Sequence, residues 1–318
     1  MTPKSIERRT LIRSLLFVPG NRPDMLGKAT GMRPSAFVPD MEDAVPPAEK
    51  ERARHTIAEK LPALAATGRL VIPRVNSIES GLLEDDVAAI AGPNIDAISI
   101  GKIRSPRDIQ HVDAILTRAE SSARIPAGSI GILPWIETAA AIVAVYEIAS
   151  SSPRIRWIAF GADDFTADME IPRPAPGIPT DIPSGSQDDL KERRPAEPGL
   201  IYPRSAVAIA ARAAGAQALD TPYVAYRDQE GLLAEATLAR KLGYTGKCAI
   251  HPAQIEPIES VFAPTDDEIE YARRVLNAWD EATARGSGAT SLDGILIDTP
   301  VVERARRLLD SPRQGNTR

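Results

Sequence analysis

Glu137 and Asp164 each stand just beyond a short apolar run. The first follows Ile130-Gly131-Ile132-Leu133-Pro134 through Trp135 and Ile136. The second follows Trp157 to Phe160 and Gly161, with Asp163 beside it. Short apolar runs bounded by Gly predict buried strands. Acids just past such strands collect at the carboxyl end of a parallel sheet, where α/β proteins bind ligands. Two carboxylates there, with no His or Cys cluster, suit a hard cation that keeps some water: Mg²⁺ rather than Zn²⁺. A single acid at such a place is as readily a helix N-terminal residue favoured by the macrodipole. Two on successive strands, with Glu42 and Asp43 at a third, favour the ion.

Arg74 ends the apolar run Leu70-Val71-Ile72-Pro73. A guanidinium there can bind a carboxylate or a developing enolate, or pair with a rim acid, and the roles are compatible. Lys102 follows Ala97 to Ile100 and Gly101. Pairing with Glu42 or Asp43 is as good a reading of it as substrate contact. Those acids would also hold the amine protonated, which argues against a Schiff base. His251, in His251-Pro252, reads as structural. There is no G-x-S-x-G elbow for a hydrolase, and Pro19-Gly20-Asn21-Arg22 lacks the spacing of a phosphate-binding glycine loop. Arg13, Arg22 and Lys28 remain as loose point charges for phosphates.

Eight strands position these groups: Ser14 to Val18, Ala36 to Pro39, Leu70 to Pro73, Ala97 to Ile100, the two runs above, Ala216 to Leu219 and Lys247 to Ile250. Helical spacing fills the gaps at Pro47 to Leu61, Ala139 to Ala149, Ser205 to Ala214 and Glu230 to Leu242, the last closed by Gly243. Alternation on this scale predicts an α/β fold, a (β/α)8 TIM barrel with a C-terminal helical extension. A doubly wound open sheet is the competitor. It would gather polar residues at one switch point, whereas here nearly every strand ends in one. The expected division is a barrel over 1–263 and an extension over 264–318 packing on the barrel or on a neighbouring subunit. Residues 171–203, rich in Pro and charge, read as an insert or lid. In the extension, Asp266 starts a helix, Gly286 to Ser291 reads as a turn, and a last helix runs from Pro300 to Leu309.

Bulk properties narrow the classes. A net charge of −5 and a pI near 5.5 give no overall basic signal for nucleic acid or membrane. Cys248 is the only cysteine, which excludes an internal disulfide, and its apolar run predicts a buried, inert thiol. No apolar stretch approaches the ~20 residues that span a bilayer. A cytoplasmic location is expected.

The chain also resembles a known family. Arg13-Ser14-Leu15-Leu16-Phe17-Val18-Pro19-Gly20, Asp40-Met41-Glu42-Asp43, Glu137-Thr138, Gly161-Ala162-Asp163-Asp164 and Gly246-Lys247-Cys248-Ala249-Ile250-His251-Pro252 resemble the citrate lyase beta-subunit-like proteins of the HpcH/HpaI aldolase superfamily, near the malyl-CoA and citramalyl-CoA lyases. The likeness runs from about Arg13 to Leu309. It implies a (β/α)8 barrel, Mg²⁺, trimeric assembly and reversible carbon–carbon cleavage of a 3-hydroxyacyl-CoA to a 2-oxo acid and an acyl-CoA.

Position by position, the resemblance makes Glu137 and Asp164 metal ligands and Arg74 the arginine for substrate carboxylate and enolate. Glu42 and Asp43 become the acids around the ion's waters. Asp298 becomes a catalytic acid given by a neighbouring subunit, and Arg13, Arg22 and Lys28 fall near receivers of the CoA phosphates. Two departures stand out. Gly101-Lys102-Ile103-Arg104 replaces the family's Pro-Lys-x-Glu, and residues 171–203 are long and Pro-rich. Three other readings use the same residues: a malyl-CoA thioesterase, an aldolase for free hydroxy-oxo acids, and a non-catalytic metal-binding subunit of a lyase complex.

Overall fold

A computed structural model describes residues 11–171 and 198–310. The chain divides into two compact units, Met1–Glu259 and Ser260–Arg318. In the first unit, strand and helix alternate. β1 (Ser14–Pro19) and α1 (Pro23–Ala29) lead to β2 (Ala36–Asp40) and α2 (Lys50–Ala65). The third stave is broken at Ile72-Pro73 into β3 (Leu70–Val71) and β4 (Arg74–Val75), and α3 (Leu83–Ile90) follows. Next come β5 (Ala97–Ile100), α4 (Pro106–Ala123) and β6 (Gly131–Ile136). Then α5 (Ala139–Val143) and α6 (Val145–Ala149) precede β7 (Trp157–Phe160) and α7 (Ala162–Asp168). Last are α8 (Pro198–Ala214), β8 (Gln217–Asp220), α9 (Gln229–Leu242), β9 (Gly246–Ala249) and α10 (Ile255–Phe262), within which the first unit ends.

All sheet pairings in this unit are parallel. β1 pairs with β2 on one side and β9 on the other, so the eight staves close into a barrel. The expected (β/α)8 barrel is what the chain forms.

Closure gives each stave an inner and an outer face with period two. Leu15, Val38, Ala97, Leu133, Ala159 and Cys248 fill the lumen as part of one buried cluster. Cys248 is buried and free of any disulfide, and burial raises its thiol pKa. The alternate residues face the helices. Most are aliphatic, but Asp220 and Lys247 are not. Lys247, with no exposed surface, donates to Asp220 Oδ2 at 2.7 Å, Thr221 O at 2.7 Å and Glu235 Oε1 at 2.5 Å. Arg204 of α8 completes the group, bonding Asp220 Oδ1 at 3.0 Å and meeting Glu235 at 3.2 Å. Two cations and two anions cancel, tying α8 and α9 to the staves.

Three local expectations change. The helix expected from Ser205 begins at Pro198, because Pro needs no N–H in a first helical turn. The expected insert therefore ends earlier, and the rest of it, residues 172–197, lies outside the described residues. The helix expected over Ala139 to Ala149 is interrupted at Ala144.

The second unit carries α11 (Asp266–Ala284), the antiparallel pair β10 (Thr290–Leu292) and β11 (Ile295–Ile297), and α12 (Thr299–Leu309). A capping box between Thr265 and Glu268 starts α11. The turn expected at Gly286 to Ser291 is displaced, since Thr290 and Ser291 belong to β10. The hairpin turns instead at Asp293-Gly294, both with positive φ, as an Asp-Gly pair favours. Ala272, Val275, Ile297, Val302 and Ala305 form this unit's own core.

Removing Lys247 would leave the buried Asp220 carboxylate and the partly buried Glu235 facing one arginine. Lys247→Met is expected to lower stability by about 3–5 kcal/mol, a fall in Tm of roughly 6–20 °C for a domain of this size. Arg307→Ala, which breaks an exposed pair with Glu303, is expected to change it by less than about 1 kcal/mol. Thermal melts of the two variants check the contrast.

Candidate active site

Counting outward by twos from the lumen reaches the carboxyl-end mouth. Val38 leads to Asp40, Ile72 to Arg74, and Leu133 through Trp135 to Glu137. These side chains share a cavity of about 430 Å³ with Asp43, Asp163 and Asp164. Phe17 and Trp135 form part of its wall, edge to face with ring centroids 5.8 Å apart. The Trp135 indole is anchored by donating to Ser99 at 2.8 Å.

Arg74 is clamped. Its Nε and Nη2 donate to the two oxygens of buried Asp40 at 2.7 and 2.6 Å. Its Nη1 donates to Asp43 at 2.9 Å and lies 3.2 Å from Glu42. The guanidinium carbon also sits 5.1 Å from the Phe17 ring centroid, a cation–π contact. Burial works against the arginine's charge, but Asp40, Glu42 and Asp43 outweigh it and hold its pKa above the ordinary value. Asp40 also accepts the backbone N–H of Glu42 at 2.8 Å. One carboxylate thus fixes both the arginine and the acidic loop.

Glu137 is 5% exposed. Its Oε1 accepts the Lys102 backbone N–H at 2.5 Å. Lys102 takes φ 60°, a left-handed conformation costly for a residue with a Cβ, and this turns its amide toward the carboxylate. Two glycines leave Glu137 its space. A Cβ on Gly161 would lie 2.6 Å from its Oε2, and one on Gly101 would lie 3.0 Å from its Oε1 and 3.2 Å from Glu42 Oε2. Burial, then the charge of Asp164, push the Glu137 pKa up to about 8. Burial pushes Glu42 up to about 7 against the pull of Arg74, and its buried Oε1 has no hydrogen-bond partner. The Lys102 ammonium stands 3.5 Å from Glu42 and 3.7 Å from Asp43. It is destabilised by burial but held above its ordinary pKa by those two acids.

The donor set fits a divalent ion with oxygen ligands. Glu137 and Asp164 line one cavity, and carboxylates outnumber cations there. Among the described residues no group of three or more His, Cys, Asp or Glu is gathered as a closed metal cage. Two carboxylates with room for other ligands match Mg²⁺ better than structural Zn²⁺.

Other expected residues fall elsewhere. Arg13 does not reach the mouth. It precedes β1 at the opposite end of the barrel, is buried, and faces Glu259 at 4.0 Å. Five residues of extended chain separate it from the end of β1, on the order of 15–20 Å. Arg22, just beyond the carboxyl end of β1, is exposed and held by Asp24 at 3.3 Å, and Lys28 is exposed in the last turn of α1. Asp298 caps α12 by accepting the Val301 N–H, in the second unit. His251 caps the turn Pro252–Gln254 and stacks on Tyr226 with centroids 4.9 Å apart. Arg104 pairs with Glu79 at 3.2 Å, so the Glu-to-Arg departure leaves the Lys102 contacts in place. Sequence reasoning gave Asp40 no role of its own and passed over the aromatic wall. The signal was available, since both continue the two-residue count from the lumen.

The sequence profile of the HpcH/HpaI aldolase/citrate lyase family matches residues 13–252. Citrate lyase subunit beta of Leuconostoc mesenteroides subsp. cremoris is 34% identical over 299 residues, covering 94% of this chain and 92% of that protein. The L-malyl-CoA/beta-methylmalyl-CoA lyase of Cereibacter sphaeroides is 33% identical over 301 residues, covering 92% of each. Protein CitE from Mycobacterium tuberculosis, crystallised with magnesium, acetoacetate and coenzyme A, superposes with a TM-score of 0.73 at 25% identity, over 95% of this chain and 98% of that one.

Glu42 and Glu137, at about 7 and about 8 against an ordinary 4.5, keep protons that the unfolded chain releases near pH 4.5. Between those limits the metal-free fold binds more protons than the unfolded chain, so these groups' contribution to stability falls as pH rises. Glu137→Gln is expected to flatten that slope in denaturant titrations at several pH values. A Mg²⁺ ion held by Glu137 would have to displace the same proton. Its affinity is therefore expected to rise from about pH 6 to about pH 8.5 with net proton release, read by calorimetry in two buffers of different ionisation enthalpy.

Proposed function

The chain belongs to the HpcH/HpaI aldolase/citrate lyase family and is an enzyme of the lyase class; on that footing we propose that it is a Mg²⁺-dependent carbon–carbon lyase. Its substrate would be a 3-hydroxyacyl-CoA such as malyl-CoA or citramalyl-CoA, split reversibly into a 2-oxo acid and an acyl-CoA. The observation that carries this reading is a pair of carboxylates, Glu137 and Asp164, sharing a cavity with an arginine locked by Asp40.

Glu137 and Asp164 would hold the ion, which when bound supplies Lewis acidity to the oxygens of the oxo-acid half. The chain's own groups do the rest. The hydroxyl proton leaves to the acidic edge formed by Glu42 and Asp43. The electrons of that O–H bond form the new carbonyl, and the carbon–carbon bonding pair passes to the thioester's α-carbon as an enolate. The fixed Arg74 guanidinium offers its remaining N–H groups to the developing negative charge, at no cost in reorientation. A proton then reaches the α-carbon from Asp298 of a neighbouring subunit, the role that the resemblance implies for it. Lys102 keeps the Glu42–Asp43 edge charged and in place. Arg22 and Lys28 suit the phosphates of CoA. The homotrimer and the cytoplasmic location belong to this same proposal. Among the described residues, no helix is long and apolar enough to cross a membrane.

Glu137→Gln and Asp164→Asn are each expected to reduce malyl-CoA or citramalyl-CoA cleavage by at least about 100-fold. Wild-type turnover in both would end the proposal. Asp40→Asn, which frees the guanidinium, is expected to lower kcat by up to about 100-fold with little change in KM for the thioester. Far-UV circular dichroism would confirm that the variants fold.

A further inference from the structure

Glu42 and Asp43 sit on the loop between β2 and α2, and a loop must be fixed before its side chains can be aimed. From the strand side, Asp40 accepts the Glu42 N–H at 2.8 Å and the Ala44 N–H at 3.3 Å, and the Met41 N–H donates to Arg74 O at 2.9 Å. These bonds satisfy donors of the loop. Its carbonyls need a donor of their own. Lys50, the first residue of α2, reaches back to them. Its ammonium donates to Met41 O at 2.8 Å and to Glu42 O at 2.7 Å. Glu42 O also accepts the Val45 N–H at 2.9 Å, which closes the turn.

An ammonium has three N–H donors, and here two serve the main chain. The side chain is half-buried, and burial lowers its pKa against the pull of Asp40, Glu42 and Asp43. Arg74 and Lys102 meet the Glu42 and Asp43 carboxylates themselves. Those contacts can be exchanged when a substrate brings its own negative charge. The Lys50 contacts are to backbone carbonyls, so a substrate that recruits the Arg74 guanidinium leaves them in place. Misplacing a reacting group by about 1 Å can cost about 100-fold in rate, so the anchorage of this loop bears directly on proton transfer.

We propose that Lys50 is the positioning residue of the acidic edge: by gripping Met41 O and Glu42 O, it holds the Glu42 and Asp43 carboxylates where the substrate's hydroxyl proton must go. It touches no reacting atom and stands outside the cavity wall. The inference rests on the lyase reading above and adds a residue to it.

The test uses the full-length protein with Mg²⁺ and follows cleavage of malyl-CoA and citramalyl-CoA. Lys50→Met keeps an unbranched side chain and removes the ammonium. It is expected to lower kcat by about 10- to 100-fold. KM for the thioester and Mg²⁺ affinity by calorimetry are expected to stay within about twofold of wild type, the pattern of a contribution made only in the transition state. In Lys50→Cys, alkylation with 2-bromoethylamine restores an ammonium at nearly the same reach, and Cys248, the only other thiol, has no exposed surface. Alkylation is expected to recover most of the lost kcat, and the same treatment is expected to leave the wild-type rate unchanged. Wild-type kcat in Lys50→Met overturns the inference and leaves the lyase reading standing. A loss that alkylation of Lys50→Cys does not recover, or that comes with an equal weakening of thioester or Mg²⁺ binding, gives Lys50 a structural role only and also overturns it. Cleavage of neither thioester by the wild-type protein overturns the lyase reading, and the inference with it.

Discussion

A strand sends alternate side chains to opposite faces, and closing eight strands into a barrel leaves those faces two destinations. One is the lumen and, at its carboxyl end, the mouth. The other is the layer between staves and helices. Everything distinctive in the first unit follows from this sorting. Asp40, Arg74 and Glu137 continue the count that holds Val38, Ile72 and Leu133 inside, so they meet at the mouth although nearly one hundred residues separate the first from the last. Asp220 and Lys247 are out of phase with it and are buried among helices instead. A one-residue slip in any of these staves would exchange the two sets.

Burial then decides what the gathered charges do. Carboxylates packed this closely resist ionisation, and Glu42 and Glu137 sit well above their ordinary values. Arg74 relieves part of the strain and Lys102 another part, but Glu42 Oε1 stays without a donor. The arrangement has an excess of negative charge that a divalent cation would offset. Asp40 matters because it spends its charge on Arg74, so that the guanidinium is aimed before any substrate arrives.

Much of this was legible in the sequence, for a physical reason. Barrel staves are short apolar runs, and the residues that end them are polar because they meet water or ligand, so both the fold and the rim acids show as punctuation. Period-two parity is harder to see in staves apolar on both faces, which is why Asp40 and Trp135 were passed over. Arg13 misled in the opposite way. It stands next to a strand in sequence, but at its amino end, and six residues of strand carry it to the far side of the barrel. The hairpin in the second unit was hidden by the Gly and Ser residues before it, while the Asp293-Gly294 pair that makes the turn was the stronger signal.

Two of the buried charge groups of the first unit differ in the respect that separates a strut from a site. Lys247, Arg204, Asp220 and Glu235 are balanced in number, and each cation is bonded to acids on neighbouring elements. Such a group holds helices in place. At the mouth the acids exceed the cations, and a cavity stands open beside them. Burying like charges together is unfavourable unless something else offsets it, and the glycines at 101 and 161 keep the space in which that could happen. Balance with closure gives stability, whereas imbalance with access gives affinity; the same barrel, through nothing more than strand parity, builds both.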